Sequence, residues 1–300
     1  MKKHTVEFII NSSHETDKIG YNSRSEYKII DEGVVKSQYI SELIVDSDVS
    51  DDVIRNEFEL EAKVASVGLA KNEKNQSNSC PFFTIDWKTY KEEPVKNMDK
   101  EHETQNLLFY DFIQIKDYLS IKLIRNIELK DIHEFIHCKK NYSFDVELFY
   151  HGLMANNAKS KFFHFFTIIE LLEGSGDFRK QLGGDLLFST EEINDIKYFG
   201  DKFHDRKKKH IHKILNITKM NREEKLFLYL QGLNLECINS EQIVIKDIEN
   251  IISQRNKLYH GSEFFDSNIV YGKLFPLVRE IIIKRLTSKI WINGTSPNKR

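Results

Sequence analysis

Near residue 131 the spacing of the apolar residues changes from two to between three and four, so one regular element type cannot serve both halves of the chain. Upstream, short β-branched runs alternate with polar residues between clusters of Asn, Ser, Asp and Gly. They predict strands at Val6 to Ile10, Tyr27 to Asp31, Tyr39 to Val45, Phe58 to Val67 and Phe82 to Trp87. The runs Leu107 to Ile115 and Tyr118 to Ile127 fit strands or a short helix. The polar stretches Lys71 to Ser79 and Tyr90 to Thr104 read as exposed loops.

Downstream, helices are predicted from Ser143, at an N-cap position, to Ala155, and over Ser160 to Glu173, closed by Gly174-Ser175-Gly176. A capped start at Ser189-Thr190-Glu191-Glu192 opens a long polar helix that continues into the basic run Arg206 to Lys213. Further helices cover Arg222 to Leu233, Lys246 to Tyr259 and Asn268 to Ile290. The expectation is an α+β chain, with an antiparallel β-rich domain at 1–130 and an all-α bundle at 131–300.

With 40% hydrophobic and 30% charged residues in 300, and only 4 Pro and 13 Gly, the composition excludes a disordered or collagen-like chain. Phe162 to Leu172 is the most apolar stretch, but His164, Thr167 and Glu170 interrupt it and it is too short to span a membrane. The opening apolar run, Val6 to Ile10, is too brief for a signal peptide. Cys80, Cys138 and Cys237 are odd in number and share no C-x-x-C spacing, which fits a reducing compartment; a cytoplasmic location is expected. Residues 1–140 carry net charge −6 and residues 141–300 carry +4, so the second half is the better home for a phosphate-bearing ligand.

The most informative segment is Asp247 to Gly261. With Ile248 as zero on a helical wheel, Ile251, Ile252, Leu258 and Tyr259 fall within about 80° of it and define a buried stripe. Arg255 lies at about −20°, inside that stripe, where a permanent charge needs a partner, a polar cleft or a second subunit. Asn256 and His260 sit one turn apart, so the amide could orient the imidazole. Taken alone, the same residues also fit an Arg that caps a buried carboxylate and a His that suits the helix dipole.

Arg255-Asn256-Lys257-Leu258-Tyr259-His260-Gly261 resembles the R-N-x-x-x-H-G signature of HEPN ribonucleases, in particular the ApeA-like branch of prokaryotic defence systems. A second likeness lies upstream, in Phe144 to Leu153 followed by Ser160 to Phe163 and Ile168-Ile169-Glu170-Leu171-Leu172. It is similar to the helix pair with which that branch opens its domain, and the resemblance covers roughly residues 143 to 290.

The resemblance implies a metal-independent endoribonuclease with no cofactor, active as a homodimer that joins the Arg and His of two protomers, and used in antiphage defence or as a toxin. His260 is then general acid or base, Arg255 neutralises charge on the phosphoryl oxygens, and Asn256 positions one or both. The expected products are a 2′,3′-cyclic phosphate and a 5′-hydroxyl. Glu170 either holds Arg255 in place or serves as a core counter-ion. The β-rich half is expected to sense a phage-derived or other activator. A domain that has lost catalysis and serves for dimerisation or RNA capture is the alternative.

Two other patterns stand beside this reading. Arg206, Lys207, Lys208 and Lys209 form the densest basic patch, which suits either an RNA backbone or a solvated helix face. His133-Glu134-Phe135-Ile136-His137 fits H-E-x-x-H, the zinc-peptidase spacing, although no third His follows and Ile132, Phe135 and Ile136 make an ordinary apolar helix face. No phosphate-binding glycine loop is present.

Overall fold

The computed structural model describes residues 1–14, 24–31, 34–36, 38–71, 79–95, 114–115, 121–182, 189–203, 205, 207, 210–211, 220–235, 237–238, 241–261 and 265–287. The first elements are β1 (Lys2–His14), β2 (Arg24–Asp31), β3 (Val34–Lys36), β4 (Gln38–Val45), α1 (Asp51–Lys71) and β5 (Ser79–Pro94). Next come β6 (Gln114–Ile115), β7 (Ile121–Glu128), α2 (Leu129–Ile136), α3 (Phe144–Met154) and α4 (Ala158–Glu173). After these are α5 (Gly176–Leu182), α6 (Thr190–Gly200), α7 (Arg222–Gly232), β8 (Cys237–Ile238), β9 (Glu241–Gln242) and α8 (Ile245–Tyr259). A helical turn at Ser267–Ile269 and a π-turn at Val270–Leu274 lead into α9 (Phe275–Thr287). The chain is α+β, as expected.

Packing divides it into two compact units, Met1–Ile168 with Phe265–Arg300, and Ile169–Phe264. The change of period near 131 marks where a run of helices starts, whereas the packing boundary falls inside α4.

The first unit is built on an antiparallel sheet of order β4-β1-β5. Alternation sets its faces: Val6 and Phe8 of β1 and Phe83 of β5 are buried, while Ile40, Glu42 and Ile44 of β4 are exposed. Where the β1–β5 register shifts between Thr5 and Glu7, the Thr89 hydroxyl accepts the Glu7 amide at 2.9 Å.

Helix α1 covers the inner face with Ile54, Phe58, Ala62, Ala65 and Leu69, which share one core with Val6, Phe8 and Phe83. The strand expected at Phe58 to Val67 is therefore a helix. Over 58–64 the alternation of Phe, Leu, Ala and Val with Glu and Lys satisfies a period of two, but the longer 54-58-62-65-69 spacing is helical, and the sheet selects it.

Two further expectations are corrected. The second sheet, β3-β2-β7-β6, is mixed, because β2 and β7 pair in parallel. Strand β5 runs on through residues 90–94, where a loop was expected, because β1 is long enough to pair with it as far as Lys2 opposite Pro94. Of the apolar run at 107–115 only residues 114–115 are described, as β6, and the expected loops at 72–78 and 96–104 lie outside the described residues.

Helices α3, α9 and the first part of α4 complete this unit. Phe149 stacks on Phe275 and Phe165 tilts against both, with centroids 5.5 to 6.1 Å apart. Lys161 is buried, and its ammonium donates to the carbonyls of Gly152 and Leu153 at 3.1 and 2.9 Å, at the negative end of α3. The π-turn ends beside Pro276, which has no N–H to continue a regular ladder.

In the second unit α5 packs on α7 and α7 on α8. The core holds Leu172, Phe178, Leu226, Tyr229, Leu230, Ile248, Ile251 and Ile252. Helices α6 and α7 open with full capping boxes, Ser189 with Glu192 and Asn221 with Glu224. The long helix expected to continue into the basic run ends instead at Gly200; residues 201–203 form a turn, and residues 205, 207, 210 and 211 are again helical. A Cβ on Gly200 would lie 3.1 Å from Ile211 Cγ2, so a larger residue there would make that side chain give by a few tenths of an ångström.

Candidate functional site

Helix α8 begins where the Asp247 carboxylate accepts the Val244 amide at 3.2 Å, and Ile248, Ile251 and Ile252 anchor it in the core. It ends on the recognised motif. His260 is the C-cap, its amide bonded to the Asn256 carbonyl at 3.1 Å, and Gly261 follows with φ 72°. That left-handed position explains why glycine follows the histidine: it stops the helix and leaves the imidazole on the exposed last turn.

Arg255 is fixed from three directions. Its Nη2 donates to Glu170 Oε1 at 3.0 Å, its Nη1 reaches Asn256 Oδ1 at 3.4 Å, and its Cζ lies 4.0 Å from the Tyr259 ring centroid. The guanidinium side chain keeps 26% exposure and Glu170 keeps 34%. Arg222 approaches the same Glu170 oxygen at 4.0 Å and grips Glu173 with two hydrogen bonds of 2.8 and 2.6 Å. The hydrogen-bonded Glu173 carboxylate raises the Arg222 pKa further. Two carboxylates on α4 thus hold two arginines from α7 and α8 in a charge-balanced cluster.

Beside this cluster an open cleft of about 510 Å³ is lined by Glu223, Glu249, Ser253, Asn256, Lys257, His260 and Gly261. Glu249, Ser253, Asn256 and His260 follow one another at three- or four-residue steps, with Lys257 next to Asn256, so one face of α8 forms the floor. The His260 side chain is exposed at this face.

The structure brings Arg255, Asn256 and Glu170 into contact and places His260 one turn on. It does not bring Asn256 to the imidazole: the amide oxygen serves Arg255 instead. Tyr259, expected in the buried stripe, is 53% exposed because the last turn of α8 projects beyond its core contacts, and its ring covers Arg255. The spacing of Arg255 and Tyr259, four apart on a helix, carried that contact in the sequence. Nothing local signals Arg222 or Glu173, 49 residues apart.

Of the basic patch, Arg206, Lys208 and Lys209 lie outside the described residues; Lys207 is exposed, with its ammonium 5.8 Å over the Phe203 ring. His133, Glu134 and His137 are exposed on α2 and the turn after it, and His133 meets the edge of the Tyr39 ring at 5.8 Å. Among the described residues no three His, Cys, Asp or Glu side chains are placed to hold a metal ion, and no helix is long and apolar enough to cross a membrane. Comparison with family models, curated proteins and solved structures finds no match to this chain.

Proposed function

We propose that the chain is a metal-independent endoribonuclease of the HEPN type, active as a cytoplasmic homodimer in antiphage defence or as a toxin. The observation that carries this reading is the end of α8: an anchored guanidinium, an amide bonded to it and an exposed imidazole at the rim of a cleft. Imidazole exchanges protons near neutral pH, so His260 can take the 2′-hydroxyl proton or supply one to the leaving 5′-oxygen. Arg255, held by Glu170 and Tyr259, meets the charge growing on the phosphoryl oxygens without having to reorganise. Glu170 is a positioning residue, and the N-terminal half is the sensor of an activator.

The test is cleavage of a mixed RNA pool by purified full-length protein, with and without EDTA. Arg255→Ala and His260→Ala are each expected to lower cleavage by roughly 10²- to 10⁴-fold with the thermal midpoint held. EDTA leaves the rate unchanged, the 3′ ends are cyclic phosphates, and DNA of the same sequence stays intact because it lacks the attacking hydroxyl. Undiminished cleavage by both variants, or loss of activity in EDTA, overturns the proposal. RNA that is bound but never cut assigns the domain to RNA capture instead.

A further inference from the structure

Helix α6 ends in aromatic residues that face solvent. Tyr198 is 71% and Phe199 58% exposed, and Phe203 lies edge-on to Phe199 at 5.1 Å. Cations accompany them: the Lys202 ammonium sits 4.8 Å from the Tyr198 ring centroid and that of Lys207 5.8 Å from Phe203. Ile211 of the basic run also lies close to Gly200, at this end of α6. Residues 197–213 hold seven Lys and Arg against two Asp, Asp201 and Asp205.

Large aromatic rings left in water forgo the burial that normally pays for their presence. Here the core beneath does not take Tyr198 and Phe199, and ammonium groups lie over the Tyr198 and Phe203 rings. A ligand that suits both features offers flat π-faces for the rings and regularly spaced negative charge for the lysines. Single-stranded nucleic acid does both, because every unpaired base has a stacking face and every linkage a phosphate. An apolar protein surface would satisfy the rings but would leave the excess positive charge uncompensated.

We propose that Tyr198, Phe199 and Phe203, with Lys202 and Lys207, form a stacking platform for unpaired nucleobases on a phosphate backbone. The platform shares its ligand class with the proposed nuclease but none of its catalytic or positioning residues; Lys207 alone belongs also to the basic patch. It therefore holds or fails independently of His260 and Arg255.

The experiment is fluorescence anisotropy with the full-length chain and a labelled single strand of about 12 nucleotides carrying 2′-O-methyl groups, which the proposed chemistry cannot cut. A DNA strand of the same sequence and the matching duplex are run alongside. Tyr198→Ala with Phe199→Ala is expected to weaken single-strand binding roughly tenfold or more, with little change for the duplex, while Tyr198→Trp retains affinity. Lys202→Ala with Lys207→Ala lowers the salt dependence of binding by about 1.4 in the log–log slope.

A wild-type preference for the 2′-O-methyl strand over DNA marks RNA as the source, and equal affinity marks unpaired bases of either kind. Folding of each variant is checked by circular dichroism. No single-strand binding by wild type, unchanged affinity in the folded aromatic variant, or equal loss on the duplex overturns the proposal. So does a change in sedimentation with RNA affinity unaltered, which makes this face a protein interface. Wild type that binds without cutting leaves the platform standing and removes the nuclease.

Discussion

Burial, and then the charges of His151 and Lys161, hold the His164 imidazole below its ordinary range. The two histidine rings lie 5.9 Å apart across α3 and α4, with His151 Nε2 3.1 Å from Glu147 Oε1. A histidine depressed in the folded state takes its proton first in the unfolded state. Stability is therefore lost as pH falls below the ordinary value of about 6.5 and on through the folded value. His164→Gln should flatten that loss, seen as a smaller difference in urea midpoint between about pH 7.5 and 5.5 than in wild type. At the same scale, Gly261→Ala places a side chain at φ 72° and should cost about 1 kcal/mol, although no neighbour lies within 4 Å of the new methyl. The motif's glycine, its histidine and the Arg–Tyr spacing are all legible along one helix. Of the groups that fix Arg255, Asn256 and Tyr259 lie on the same helix; Glu170, read from the sequence as holding Arg255 or serving as a core counter-ion, stands 85 residues away, and packing supplies that contact.

Helix–helix approach decides the element scale. A Cβ on Gly152 would come 2.3 Å from the Phe165 ring, so α3 and α4 sit as close as they do because that residue has no side chain. Gly152→Ala should improve α3's intrinsic propensity by about 1 kcal/mol yet destabilise the fold by about 1–3 kcal/mol through the displaced ring. The check is a lower urea midpoint at unchanged slope. Capping works in the opposite, fully local way: Ser189→Ala removes one arm of the box that starts α6 and should cost about 1 kcal/mol. Both arms of that box were readable in Ser-Thr-Glu-Glu. Helix α1 was not, because its middle satisfies two periods at once and only the core partners beneath it select one.

For the whole molecule, the first unit is discontinuous in sequence, closed by a helix that returns after the second unit. Phe275, Leu277, Val278, Ile281, Ile282 and Leu286 of α9 are buried, a contribution of roughly 10 kcal/mol by apolar area alone. That is comparable to the entire stability of an ordinary domain. A chain ended at residue 264 should therefore lose the cooperative transition of the first unit, read by calorimetry and near-ultraviolet circular dichroism. Retention of a sharp transition would show that α9 is dispensable. The ion pair between Arg285 of α9 and the buried Asp145 of α3 ties the same closure, and burial alone lowers the Arg285 pKa.

By itself the sequence determined what lies within a turn or two of chain: the alternating strands β1, β4 and β5, the capped starts of α6 and α7, and the end of α8 at His260 and Gly261. Hydrogen bonds between near neighbours and the period of apolar side chains write such features directly into residue order. Tertiary structure alone decided that α1 is a helix, that β2 and β7 run parallel, and that Arg222 joins Glu170 and Glu173 beside Arg255. These depend on which surfaces meet once distant segments pack, and close packing penalises every alternative that leaves a charge unpaired or a core face uncovered.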